Sequence, residues 1–320
     1  MIWLAAQVNG PLVLTRAVHF AASAATAGTL IFGALVAEPA LRAAPEDSAA
    51  VRSRLTQLAW AGLAIAVVSG LVWLVLETMS IADLGFGEAM RSGAVWTVLD
   101  ETQFGLIAKI RAALVVALAA CLLLDRFVLP RWLALLAALA LVGAIAWTGH
   151  AGSTLGELGD LHLVADVLHL AAASAWFGGL IGLPVLFAVG WRRPGPEWAP
   201  LQLDAVRRFS TIGLASVAAL IGSGIVNAWI LVGSFRALLV TDYGQLLLLK
   251  LAVFAAMVGF ATVNRLQLTP QLALAVKGEA DGGELSALTR NTWIEFALAL
   301  AIFAIVGLLG TLHPAIHMMR

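Results

Sequence analysis

The stretch "LHLVADVLHLAAASAWFGGLIGLPVLFAVGW", residues 161–191, decides the fold. It is longer than the roughly 20 residues that carry a helix across a hydrocarbon core. Apart from His162, Asp166 and His169 it holds no ionisable group. Lipid offers backbone amides no partner, so such a run must be helical. In a helix those three residues stand at i, i+4 and i+7 and share one face. Ionisable groups at membrane depth are costly unless paired or hydrated. The face is therefore a structural seam or a site.

The rest of the 320-residue chain repeats the pattern: 61% of residues are hydrophobic and 12% charged. Eight apolar spans are read at 11–37, 55–79, 103–125, 132–149, 161–191, 209–232, 244–264 and 291–312. They are separated by breaks such as "EPALRAAPEDS", "GWRRPGPEWAP" and "KGEADGGE" that carry Pro, Gly and charge. The opening "MIWLAAQVNGP" has no basic n-region and no small-residue cleavage site, so the first span is expected to stay. The fold class is an all-α polytopic membrane protein in a single membrane domain. A net charge of zero gives no footprint for nucleic acid, and a lone Cys121 inside an apolar run leaves neither a disulfide framework nor a CxxC metal site.

Lys and Arg orient the bundle. The loops after spans 1, 3, 5 and 7 hold twelve of them, while the opposite side holds only Arg91, Arg236 and Arg320. This imbalance predicts that both termini face outward, into the periplasm of a bacterium. All six histidines, His19, His150, His162, His169, His313 and His317, then fall in the outer half. Arg16, Lys109, Arg111 and Lys250 lie there too, within the spans. That many polar groups predict a partly wet outer cavity.

A weak internal repeat runs through the chain. "VHFAASAATAGTLI" (18–31) aligns without gaps to "LHLAAASAWFGGLI" (168–181), superposing His19 on His169, Gly28 on Gly178 and Arg16 on Asp166. "TQFGLIAKIRAALVVALAACLLLDR" (102–126) aligns to "TDYGQLLLLKLAVFAAMVGFATVNR" (241–265), superposing Thr102 on Thr241, Gly105 on Gly244 and Arg111 on Lys250. The Ser-Gly of "VVSGLVW" matches that of "IGSGIVN", and "TGH" at 148–150 matches "TLH" at 311–313. Two parallel-related four-span repeats follow, about 11–149 and about 161–313, with a pseudo-two-fold axis along the membrane normal. Arg16 and Asp166, of opposite sign, are expected to face each other near that axis.

Neutral imidazole is the commonest protein metal ligand and suits copper, zinc, iron and nickel, while thioether favours Cu(I). Met318 and Met319 follow His313 and His317 in the tail "HPAIHMM", which tilts the set towards copper. The candidate ligands are the six histidines, with Met318 and Met319 as additional ones. Asp166 is read as orienting a histidine or pairing with Arg16, Arg111 and Lys250 as neutralising carboxylate or lipid phosphate, and Trp176 as walling the His169 face.

The chain resembles the copper resistance D family. "GHAG" (149–152), "DVLHLAAASAWFGGL" (166–180), "SGIVNAW" (223–229) and the segment from "TDYGQLLLLKL" to "VNRLQLTPQL" (241–272) carry the resemblance. It implies a multi-pass inner-membrane protein that moves copper, usually inward, with periplasmic copper-binding partners on separate chains. There is no ATP-binding loop, so the reading is a transporter or metal-binding protein rather than a pump or enzyme. Two alternatives stay open. One is a membrane electron carrier holding haem b between histidines such as His19 and His169, with the basic groups at the propionates; the other is a copper-delivery scaffold without transport.

Overall fold

The computed structural model describes residues 9–43, 48–125, 127–154, 156–192, 195, 197–278 and 283–318. Eight helices in it are long and apolar enough to cross a membrane: α1 Gly10–Ala40, α2 Ala49–Ala82, α3 Gln103–Leu123, α4 Val128–Thr148, α5 Glu157–Arg192, α6 Trp198–Val232, α7 Asp242–Val276 and α8 Glu284–Leu309. No strand occurs among the described residues. The protein is a multi-pass membrane protein.

Several helices outrun the apolar spans read from the sequence. α6 begins at Trp198 rather than 209, and α7 runs to Val276 rather than 264. The added turns lie beyond the most apolar stretches, yet they bury Trp198, Leu201, Leu203, Val206 and Leu272. With Phe32, Leu41, Val51 and Phe187 these form a core at the end carrying the α1–α2, α5–α6 and α7–α8 loops, here the arginine-rich end. At this end Arg52 grips Glu38 in a bidentate pair, Nε at 2.6 Å and Nη2 at 2.7 Å, joining α1 to α2. Short helices at Phe86–Arg91, Ala94–Glu101, His150–Ser153, Phe235–Val240 and Ala315–Met318 cover the opposite, histidine end, where the sequence was read as loop.

Two π-turns interrupt the spans, Gly33–Ala37 in α1 and Asn264–Leu268 in α7. Each runs directly into a proline-bearing turn, with Pro39 and Pro270 respectively. A proline ring clashes with the carbonyl four residues back and removes one amide. Widening the preceding turn relieves the clash, and the Asn264 carbonyl accepts both the Thr269 amide and, at 2.7 Å, the Thr269 hydroxyl.

α1 and α5 are the central pair. α1 packs on α2, α4, α5 and α8, and α5 packs on α1, α4, α6 and α8. They cross where Gly28 meets Gly178: a Cβ on either would strike the other's backbone, and one on Gly28 would also strike the Ser174 carbonyl. Small residues at a crossing allow this close approach in lipid, where association depends on packing rather than on hydrophobic burial. α3 and α7 begin alike. Thr102 caps α3 by accepting from the Gly105 amide at 3.0 Å, and Thr241 caps α7 by accepting from Gly244 at 3.0 Å.

Gly28→Ala and Gly178→Ala are each expected to cost about 1–3 kcal/mol or more, because backbone cannot yield as a side chain can. Thermal unfolding in detergent checks this. Gly259→Ala is the control: its Cβ points into open space. Helix propensity makes that change neutral or favourable by up to about 1 kcal/mol.

Candidate functional site

Two polar clusters lie in the histidine half of the bundle. The first is built on α1–α3. His19 is 3% exposed, and its Nδ1 lies 3.1 Å from the Ser69 hydroxyl. That hydroxyl spends its only proton on the Ile65 carbonyl at 2.6 Å. Nδ1 must therefore carry the hydrogen and donate, leaving the lone pair on Nε2. An Arg111 guanidinium N–H occupies that lone pair at 2.5 Å, while its other arm donates to the Leu141 carbonyl at 2.8 Å. Arg111 is 8% exposed and stitches α3 to α1 and α4. Aromatic rings close the site: Trp73 sits 5.3 Å from the His19 ring and 5.4 Å from Phe104.

Arg16 stands one turn above His19 and is 7% exposed. Its guanidinium lies 5.1 Å over Trp73 and 5.8 Å over Phe20, a cation–π arrangement. Glu77 supplies the nearby negative charge and accepts from the Trp73 indole at 3.0 Å. Gly310 leaves room for the group; a Cβ there would strike the guanidinium. The Arg16 Nε has no partner. The expected meeting of Arg16 with Asp166 does not occur: the aromatic face holds Arg16, and Asp166 turns to α6.

The second cluster is built on α5–α7. The His169 Nδ1 lies 2.9 Å from the Ser223 hydroxyl, which donates to the Ala219 carbonyl at 2.6 Å. The same reasoning puts the hydrogen on Nδ1 and the lone pair on Nε2. Here no arginine caps it. Asp166 accepts from the Asn227 amide at 3.2 Å, and the charge of Lys250 acts on both Asp166 and His169 without a direct ion pair. Tyr243, buried at the head of α7, completes the cluster. One cluster thus holds a dry, capped histidine; the other holds a histidine with an open nitrogen among polar groups.

His19 and His169 have no partner in common. Each points into its own set of helices, so the structure does not bring them together as an axial pair for haem.

Beyond the spans, His150 lies 6.2 Å from the Tyr243 ring and close enough to His162, His313 and Arg16 to feel their charge. Burial, and then the positive charge of Arg16, hold its pKa below the ordinary imidazole value. Its Nε2 is buried and unpartnered. His162 is 1% exposed with Nδ1 2.9 Å from the Thr154 hydroxyl, and His313 is exposed. His317 lies in the short helix Ala315–Met318. The side chains of His317 and Met318, and the whole of Met319, lie outside the described residues. Among the described residues, no three His, Cys, Asp or Glu side chains converge closely enough to hold a metal ion.

Two other predicted residues sit elsewhere. Lys109 makes an exposed pair with Asp100 at 3.2 Å, worth little. Trp176 packs its ring edge-on to Phe254 at 5.8 Å and lines a cavity together with Glu295. Ser69, Ser223, Asn227 and Tyr243 were not picked out as site residues from the sequence. The signal for the serines was the Ser-Gly shared by "VVSGLVW" and "IGSGIVN", read only as a repeat mark.

Known proteins place this arrangement. Residues 203–309 match the family model described as Copper resistance protein D, and residues 6–160 match that described as Copper resistance protein D-like, N-terminal domain. Copper resistance protein D of Pseudomonas syringae pv. tomato is 31% identical over 300 residues, covering 89% of this chain and 92% of the relative. Inner membrane protein YebZ of Escherichia coli is 32% identical over 214 residues, covering 67% of this chain and 70% of its own. Copper transport protein CutJ of Bacillus subtilis is 34% identical over 200 residues, covering 61% of this chain and 36% of its own. No solved structure matches with significance. The chain belongs to the copper resistance protein D family.

Proposed function

We propose that this is an inner-membrane copper-handling protein that takes copper at the histidine end and moves it inward. The positive-inside imbalance supports an orientation with that end and both termini in the periplasm. Partners that bring copper would then be separate periplasmic copper-binding proteins. The family, and the printed name of the CutJ relative, favour copper as the cargo.

The single observation that carries the reading is His169. A histidine ligates through a lone pair while its other nitrogen is held by a fixed acceptor, and Ser223 is such an acceptor. Its environment is polar enough to admit an ion. His150, with an open Nε2, and His162 and His313 beside it form the entry, and copper passes ligand by ligand rather than resting in one closed cage. His317, Met318 and Met319 of the tail are additional candidate ligands. His19 has a different role: with Arg111 on its lone pair it holds α1, α2 and α3 together.

We also read the two halves as parallel repeats about an axis through the Gly28–Gly178 crossing. Paired positions of a two-fold meet each other only at the axis, and the aligned glycines meet there. The matching His-Ser hydrogen bonds and Thr caps support the same reading.

Copper titration of the purified protein tests the assignment. His169→Ala is expected to abolish binding at the inner of the two outer sites, and Ser223→Ala to weaken it about 10- to 100-fold, the usual effect of removing a group that orients a ligand. His19→Ala is expected to lower the unfolding temperature and leave copper affinity within about threefold. Equal copper loss in His19→Ala and His169→Ala would overturn the asymmetry. Copper bound through His150 should survive acidification past pH of about 6.5, where a solvated imidazole is half protonated. The depressed pKa means that the proton competes only at lower pH; Arg16→Gln should move the loss to higher pH. Sealed vesicles containing the protein should accumulate copper from the histidine side, and a scaffold would not.

A further inference from the structure

The arginine-rich half of the bundle has its own polar site, unconnected with any histidine. Glu295 of α8 is 2% exposed. Its Oε1 accepts from the Asn264 amide at 2.8 Å, and Asn264 in turn accepts from Asn291 at 2.8 Å. The Trp176 indole of α5 lies beside the carboxyl. Asn264 opens the π-turn of α7, the kind of local widening that recurs at functional sites.

The charged groups around Glu295 can be enumerated. α1 has no ionisable residue between His19 and Glu38, α5 none between His169 and Arg192, and α6 none between Arg208 and its end at Val232. α7 has only Arg265 between Lys250 and Lys277, and α8 has on the near side only Glu284, of the same sign as Glu295, and Arg290, which is exposed. Among the described residues no Lys, Arg or His forms an ion pair with Glu295. A carboxylate at this depth with no counter-charge is costly, whereas a carboxylic acid is not.

Glu295 also lines a cavity. The space, about 130 Å³ between α5, α6, α7 and α8, is walled by Ser210, Thr262, Asn264, Thr269, Thr292 and Glu295 together with apolar side chains. At about 30 Å³ for each water it has room for roughly four, and the polar side chains of the wall give them partners. At its rim Arg265 of α7 donates to the Ser210 hydroxyl of α6 at 2.6 Å and to the Ser210 carbonyl at 3.1 Å. Both residues are at the edge of the bundle towards the arginine-rich end.

We propose that Glu295 is a proton-exchange site: its carboxyl is held as the acid at rest and passes its proton through the cavity to water at the arginine-rich end. On release the O–H bond breaks, the proton goes to a cavity water, and the carboxylate left behind is held by the Asn264 amide with the Trp176 indole beside it. Re-protonation runs the step backwards. The site does not depend on copper, so its test is made on metal-free protein.

Infrared spectroscopy of the full chain in detergent, in water and in D₂O, reads the group directly. The expected result is a protonated-carboxyl carbonyl band at neutral pH that shifts in D₂O within minutes, disappears at raised pH, and is missing from Glu295→Gln. Asp166 leaves any band of its own in both proteins, so the difference spectrum isolates Glu295. Trp176→Phe, which removes the indole N–H beside the carboxylate, should move the disappearance to higher pH and keeps the test alive should Glu295→Gln fail to fold. Identical spectra for the wild type and Glu295→Gln, or a band that does not exchange in D₂O over hours, would overturn the proposal.

Discussion

The close approach of α1 and α5 at Gly28 and Gly178 governs the rest of the bundle. His19 precedes Gly28 by nine residues, and His169 precedes Gly178 by nine. Nine residues are about two and a half helical turns, so on each helix the histidine faces directly away from the glycine. Because the glycines face each other, the histidines must face apart, His19 towards α2 and α3 and His169 towards α6. The same spacing lifts both rings about 13 Å above the crossing. One contact between two backbones thus fixes both which residues each histidine can meet and the depth at which it meets them.

What each histidine meets then differs, and the difference is chemical. Arg111 and Lys250 occupy aligned positions, but a guanidinium can reach a lone pair and a carbonyl at once with its separate N–H arms, whereas an ammonium is a compact point charge. Arg111 uses one arm on His19 and the other on Leu141, and the result is a cross-brace. Lys250 acts on Asp166 and His169 through its charge alone and leaves the His169 Nε2 open. Where α2 carries Trp73, α6 carries Asn227, exchanging an aromatic wall for a hydrogen-bond donor. The aromatic wall has a use of its own: it takes the Arg16 guanidinium, which explains why Arg16 does not seek Asp166 across the bundle.

The eight spans were legible because lipid imposes a period and a length that few other environments share. The face carrying His162, Asp166 and His169 was likewise legible from helical spacing. Helix ends were not, because Trp198–Arg208 and Arg265–Val276 bury apolar groups against protein beyond the most hydrophobic stretches, and a hydropathy pattern does not register that. The separation of His19 from His169 has a reason that is present in the sequence. The aligned glycines and the aligned histidines share a nine-residue separation, which turns each histidine away from the crossing that its glycine makes. The serines were missed for a different reason: a hydroxyl that fixes a tautomer has no pattern of its own and is recognised only once the ring beside it is seen.

The two polar regions of the second half are separated along α5, α7 and α8 by an apolar layer of Trp176, Phe177, Met257 and Ala299, with Phe254, Phe296 and Phe303 packed against it. Phe177 stacks on Phe296 at 5.3 Å and meets Phe303 edge-on at 5.1 Å, so the layer is closed by specific ring contacts rather than by loose filling. An ion held by His169 has no polar route through it. Crossing therefore demands that the layer open, and of its seven members only Met257 presents a soft donor to a copper ion. Trp176 belongs to this layer and also lies beside Glu295. Any motion that parts the layer by moving Trp176 takes the indole N–H away from the Glu295 carboxyl and so shifts its balance towards the acid. In the proposed scheme that shared side chain connects passage from the outer site to the protonation state of the inner one.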